Sequence, residues 1–235
     1  MCGRFSLTGS AAMLLVQFNV RESVAWPKRY NLAPRQEVLT IVQPAGAPRQ
    51  VRLMRWGLIP AWANDPAIGT QLINARAETL ASKPAFRVPF RERRCLIVTD
   101  GFYEWEASGP RKQPWCIRMQ DGGPFAFAGL WDRWTDPAGT IVESCTIITT
   151  TPNALIRRFH HRMPVILAPA AYDLWLAAEI REPARLLPLL VPYPPEGMTA
   201  YPVSPLVNNP ANDSPACQIP LGAPPDASPG SLPGI

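Results

Sequence analysis

Short runs of apolar, often β-branched residues recur along the chain, each closed off by Pro, Gly or a charged side chain. VLTIV (38–42), CLIVTDGFYEW (95–105), CTIITTT (145–151) and MPVIL (163–167) have this form, which predicts strands. Two other stretches have helical character. AAMLLVQF (11–18) follows Ser10 as an N-cap, and AAYDLWLAA (170–178) precedes the charged EIREPAR. In INARAET (73–79), Asn74, Arg76 and Glu78 occupy every second position, which a strand would place on one face. With 29 prolines spread throughout, long uninterrupted helices are disfavoured. No repeat is found at a period of roughly 20–50 residues. The pattern predicts a β-rich α+β single domain over residues 1–221. From 222 to 235 the chain reads GAPPDASPGSLPGI, a Pro/Gly/Ser-rich composition that predicts a flexible tail.

Composition narrows the function classes. At 235 residues, 47% of them apolar and 17% charged, the chain can bury one substantial core and is unlike a disordered segment. A net charge of +5 gives a mild bias toward anionic partners. The five cysteines, Cys2, Cys95, Cys116, Cys145 and Cys217, are odd in number and lack any C-x-x-C. No secretory signal precedes them, so a reducing, cytoplasmic setting is expected rather than a disulfide framework. No apolar run approaches the roughly eighteen residues of a membrane span, and a soluble protein is expected.

Candidate chemistry is sparse. The only histidines are the pair His160 and His161, which leaves a zinc site without its further ligands. G-x-S-x-G, Walker A and dinucleotide fingerprints are absent. No metal or cofactor is expected. Cys2 sits directly behind Met1; once Met1 is removed, it would carry an α-amine and a thiol on adjacent carbons. The alternative is a cysteine that begins a buried strand. Glu104 lies between Tyr103 and Trp105, either as a carboxyl with a raised pKa suited to acid–base work or as a surface partner of an arginine. HHRMP (160–164) joins an imidazole to Arg162, in a structural or a catalytic role. In MRWGLIPAWA (54–63), Trp56 and Trp62 flank Gly57 and Pro60, as core aromatics or as a stacking platform for nucleobases beside Arg55.

In order along the chain stand MCGRF, YNLAP (30–34), RWGLIPAWA (55–63), NARAET (74–79), GFYEW (101–105), ITTTPN (148–153), HHRMPVIL (160–167) and VSPLVNN (203–209). Together these motifs resemble the SOS-response-associated peptidase (SRAP) family, also described as abasic-site processing proteins, up to about residue 220. The resemblance implies mixed, barrel-like sheets with a few short helices. It also implies binding to single-stranded DNA and a covalent link to abasic sites through Cys2, closed as a thiazolidine, in the DNA damage response. Peptidase (autoproteolytic) and lyase activities come with the same resemblance. Position by position, it marks Cys2, Asn74, Glu104 and His160 as catalytic and leaves His161 on a variable position. Glu104 is then expected to shuttle protons, and Asn74 to hold the terminal amine or the sugar oxygen. His160 is expected to help open the sugar ring and to assist β-elimination. Arg4, Arg76 and Arg162 flank motif residues as candidate phosphate contacts, with Trp62 and Trp105 as candidate stacking residues. The expected species is a monomer that partners single-stranded DNA containing abasic sites, at the nucleoid and without a membrane.

Three rivals accompany this expectation. An N-terminal-nucleophile amidohydrolase also begins M-C-G, but this chain has no N-G dipeptide and no R-G-P. A thiol peptidase would find only Met1 ahead of Cys2. A passive single-strand-binding module would leave Cys2 inert.

Overall fold

The structure, a computed structural model, describes residues 2–22, 25–108 and 111–222. Its strands in chain order begin with β1 (Phe5–Leu7), β2 (Arg29–Leu32), β3 (Glu37–Val42), β4 (Gln50–Trp56), β5 (Asn74–Arg76) and β6 (Arg94–Thr99). There follow β7 (Gly101–Ser108), β8 (Arg111–Met119), β9 (Phe125–Thr135), β10 (Ile141–Thr150), β11 (Met163–Pro164), β12 (Ile166–Leu167) and β13 (Met198–Pro202).

Five of them close into a barrel. β4, β3, β6, β9 and β10 pair antiparallel in that order, and β10 closes onto β4 in parallel, with Ser144 level with Arg55. Closure leaves no edge in this ring, which removes the unpaired backbone groups that an open sheet exposes. Cys95, Gly129 and Ile147 lie level across β6, β9 and β10. A Cβ on Gly129 would meet Cys95 Sγ at 2.8 Å and Ile97 Cδ1 at 2.9 Å, so the packing here requires glycine. The second sheet is antiparallel throughout, in the order β13, β8, β7, β1, β2.

Aromatic packing joins the sheets and sets the position of the amino terminus. Phe5, on β1 of the second sheet, lies 5.0 Å from Trp56 and 5.9 Å from Phe127 of the barrel by ring centroids. All three rings are fully buried; burial of one such side chain contributes about 2–3 kcal/mol. Residues near the carboxyl end clamp the same region. Asn31 of β2 is buried, and its Nδ2 donates to the carbonyls of Val207, Asn209 and Asn212 at 3.2, 3.1 and 2.7 Å. The carboxylate of Asp213 accepts from the Tyr30 and Asn31 backbone N–H groups, and Gln218 Nε2 donates to Ser6 Oγ at 2.7 Å.

Several predicted elements need correcting in detail. α1 (Ala11–Phe18) forms as expected, with Ser10 Oγ accepting from the Met13 N–H. The 170–178 helix shrinks to Tyr172–Leu176 after a 3₁₀ turn. Arg94 donates to the carbonyls of Trp175 and Ala177, so a side chain satisfies groups that a longer helix would have paired. The run 95–105 divides at Asp100 between the two sheets. Asp100 accepts from Ser6 Oγ, Thr8 Oγ1 and the Thr8 N–H at 2.7, 2.6 and 2.5 Å, which fixes the corner. MPVIL divides at Val165: Met163–Pro164 pair with β10 and Ile166–Leu167 with β9. β9 and β10 separate beyond the Ile147–Gly129 pair, and this segment fills the gap. Only Asn74–Arg76 of INARAET is strand; Ala77–Thr79 is a 3₁₀ turn, which takes Glu78 out of the alternation. The tail expected at 222–235 lies, from 223 onward, outside the described residues. No described helix is long and apolar enough to cross a membrane.

Candidate active site

The site grows from the antiparallel pairing of β1 with β7. Phe5 is level with Phe102, and the Tyr103 N–H donates to the Arg4 carbonyl at 3.0 Å. Carrying that register onward brings Cys2–Arg4 alongside Tyr103–Trp105. Cys2 is fully buried, with its Sγ 3.9 Å from the Arg4 carbonyl oxygen. Burial first, and then the charge of Glu104, push its thiol well above the ordinary thiol range, so the sulfur is protonated at neutral pH.

Asn74 reaches Cys2 from the other sheet. β5 runs parallel to β10, with Asn74 level with Ile147, and Asn74 Nδ2 donates to the Cys2 carbonyl at 3.0 Å. Asn74 Oδ1 is buried and has no hydrogen-bond partner. A buried acceptor left unpaired costs about 1–3 kcal/mol, which makes this oxygen an acceptor in want of a donor.

Glu104 is buried, and its carboxyl is pushed up to about 7 by that burial, against opposing pulls that include Lys112. Both its protonation states are therefore populated near neutrality. Trp115 of β8 is level with Glu104, and its ring meets that of Phe159 at 5.4 Å. His160 follows Phe159 directly, and the charge of Lys112 acts on both His160 and Glu104. Burial foremost, with the nearby charges of His161 and Lys112, pushes His160 down to about 4. The Arg162 N–H donates to His160 Nδ1 at 3.0 Å. The neutral ring therefore carries its proton on Nε2 and presents a donor there. His161 stacks on it with centroids 4.3 Å apart.

The candidate DNA contacts are placed unequally. Arg76 is exposed at the end of β5. Arg4 NH1 donates to Asn31 Oδ1 and the Val207 carbonyl at 2.9 and 2.6 Å, and its guanidinium lies 5.9 Å from the Trp105 ring. Trp105 is half-buried and donates through Nε1 to Asn208 Oδ1 at 2.7 Å. Arg162 is buried: its NH1 and NH2 fork onto Glu78 at 2.6 and 2.9 Å, and NH2 also donates to the Thr149 carbonyl at 2.6 Å. Trp62 is 59% exposed on a loop that packs against Trp134 and hydrogen-bonds Asp132 through the Ala61 N–H. Trp56, by contrast, belongs to the core. The sequence pattern assigned no role to Asn31, Glu78, Lys112 or Trp115; Asn31 and Glu78 lie inside the quoted motifs, where an asparagine in a strand and an acid two residues after Arg76 were the available signals. All five cysteines are free and buried. Among the described residues no group of His, Cys, Asp and Glu is arranged to hold a metal.

A family model described as SOS response associated peptidase (SRAP) matches residues 1–210. The chain is 45% identical over 219 residues to "Abasic site processing protein YoqW" of Bacillus subtilis (strain 168), covering 92% of this chain and 97% of that protein. It is 33% identical over 195 residues to "Abasic site processing protein HMCES" of Gallus gallus, covering 72% of this chain and 56% of that longer protein. A crystal structure of a protein from Bacteroides thetaiotaomicron superposes with a TM-score of 0.82 at 29% identity, covering 90% of this chain and 97% of that one.

Proposed function

The chain belongs to the SOS response associated peptidase (SRAP) family, and on that footing we propose that it processes abasic sites in single-stranded DNA by linking to them covalently through Cys2. The observation that carries this reading is the hydrogen bond from Asn74 to the Cys2 carbonyl, with the unpartnered Asn74 Oδ1 beside it. Removal of Met1 would supply the missing donor as the free α-amine of Cys2.

That amine has an unperturbed pKa of about 7.7–8.0, so roughly a tenth is unprotonated at pH 7. Its nitrogen attacks the C1′ aldehyde of the ring-opened deoxyribose. Both amine protons end on the carbonyl oxygen, which departs as water and leaves an imine. The Cys2 sulfur then bonds to the imine carbon, and the thiol proton passes to the nitrogen. The product is a five-membered thiazolidine, formed with no oxidant or reductant.

Asn74 Oδ1 accepts an amine N–H and orients the nitrogen lone pair. Glu104, poised near 7, relays protons from the amine to the departing hydroxyl. His160 Nε2–H donates to the sugar ring oxygen as the ring opens, a role suited to a neutral imidazole. Strand cleavage by β-elimination needs a base at C2′. With Nδ1 of His160 occupied, Glu104 suits that step better. The protonated Cys2 thiol favours this amine-first order over a thiol-first peptidase or amidohydrolase.

The test uses a uracil-containing single strand treated with uracil-DNA glycosylase and run on a denaturing gel with protein. A heat-stable shifted band that requires the abasic site, and that Cys2→Ala abolishes, is expected. Absence of the band, with Met1 removal verified by mass, contradicts the reading.

A further inference from the structure

The barrel has a second mouth, away from Cys2. Side chains alternate along a strand, so Trp56 and Arg52 share one face of β4, Phe127 and Trp131 one face of β9, and Ile147 and Glu143 one face of β10. The first of each pair lies at the end where Phe5 packs and where Asn74 stands level with Ile147. The second lies four residues along, about 13 Å away. There the Arg52 guanidinium sits 5.3 Å from the Trp131 ring centroid. A cavity of about 340 Å³ opens beside them, lined by Arg93, Arg94 and Arg133 as well as Glu92; sites for small ligands begin at about 300 Å³.

Cations outnumber the carboxylates that hold them. Arg52 NH1 and Arg133 NH2 share a single oxygen, Glu143 Oε1, at 3.0 and 2.8 Å. Arg93 Nε lies 3.1 Å from Asp132, and its NH1 3.8 Å from Glu92. Arg94 is 5% exposed and spends four of its five N–H groups on the carbonyls of Phe90, Arg91, Trp175 and Ala177. It forms no ion pair among the described residues, and the charge of Glu179 acts on it only from further away. Burial pushes its guanidinium down to about 10, so it stays charged at neutral pH. A buried cation without a carboxylate beside it is costly, and an anion in the cavity would offset that cost.

We propose that this cavity is a nucleotide site: Arg93, Arg94 and Arg133 take the phosphate, and the base lies against the flat wall made by Trp131 and the Arg52 guanidinium stacked on it. Aromatic rings and guanidinium planes are surfaces on which any base stacks, and a phosphate suits guanidinium forks. Binding is non-covalent and does not depend on the covalent reading. The nucleotide is either free or part of a strand, since phosphate and base are common to both sources. Because the cavity and Cys2 lie at opposite mouths of the barrel, the two sites are open to occupation at once.

The test is isothermal titration of the full chain with dAMP, deoxyadenosine, inorganic phosphate and a short undamaged single strand. The wild type is expected to bind one dAMP per chain, more tightly than it binds deoxyadenosine or phosphate. No dAMP binding at millimolar concentration overturns the proposal, as does deoxyadenosine or phosphate that binds as tightly as dAMP. Arg133→Ala should weaken dAMP binding roughly ten-fold, the scale of one hydrogen bond to a charged group; wild-type affinity at unchanged melting temperature overturns the site. If Arg133→Ala melts early, Glu143→Gln decides. It removes the carboxylate that competes for two guanidiniums, so tighter binding supports the site, and unchanged or weaker binding overturns it. Cys2→Ala should keep the wild-type affinity for dAMP; loss of binding there would put the nucleotide at Cys2 and overturn a separate site. The strand identifies the source. If Arg133→Ala weakens strand binding as well as dAMP binding, a strand supplies the nucleotide; if it weakens dAMP alone, the ligand is the free nucleotide.

Discussion

Asn74 holds Cys2 by its carbonyl and keeps one buried oxygen unspent. Asn74→Ala should slow cross-linking about 10- to 100-fold, the cost of a lost hydrogen bond in a buried setting, while initiator removal measured by intact mass stays unchanged. Glu104→Gln should cost about 100-fold in cross-linking rate and flatten the pH dependence around 7, as followed by gel over a pH series. The same substitution affects stability. The folded Glu104 pKa of about 7 lies above the unfolded value of about 4.3, so the native state binds its proton more tightly. The associated stability is full below about 4.3 and is lost as pH rises through 7. Glu104→Gln should therefore melt higher than wild type at pH 8 and lose that advantage in acid. The motifs that carry Cys2, Asn74, Glu104 and His160 were legible in the sequence because each is a compact run of a few residues; the Asn74 contact to the Cys2 carbonyl, across 72 residues, was visible only in the fold. The Arg162–Glu78 fork was not legible, because its partners stand 84 residues apart and a 3₁₀ turn breaks the alternation that appeared to place Glu78 beside Arg76.

The short strand β1 carries more than its length suggests. Phe5 anchors it into the barrel between Trp56 and Phe127, and the residues just before it are thereby fixed beside β7. Phe5→Ala should lower stability by about 3–5 kcal/mol, read from urea unfolding, and should slow cross-linking even where the fold persists. Each of the four apolar runs falls in strand structure, in β3, β6 with β7, β10, and β11 with β12, since short β-branched segments between prolines have few other options. By contrast, β4, β8 and β9 lie outside those runs. Where the runs break was hidden. CLIVTDGFYEW reads as one strand, yet Asp100 gathers three hydrogen bonds from Ser6 and Thr8 and turns the chain into the other sheet. MPVIL divides for a reason visible only in the assembled barrel, where β9 and β10 have parted. Local pattern specifies strand character; the pairing partner depends on residues far away in sequence.

Across the whole molecule, the amino- and carboxyl-terminal regions form one clasp. Asn31 ties Arg4 to Val207, Asn209 and Asn212, and so holds the first strand against the 203–212 segment. Asn31→Ala should cost about 3 kcal/mol or more by stranding buried carbonyls, and calorimetry should find the melting temperature lowered. The measurement that bears most directly on the covalent account is the mass of the amino-terminal peptide recovered after cross-linking to an abasic strand and digestion of the DNA. The account predicts a peptide that begins at Cys2, carries the sugar remnant less one water, and resists thiol alkylation because sulfur and nitrogen are both in the ring. A sugar attached elsewhere, or a Cys2 thiol still open to alkylation in the adduct, would contradict it.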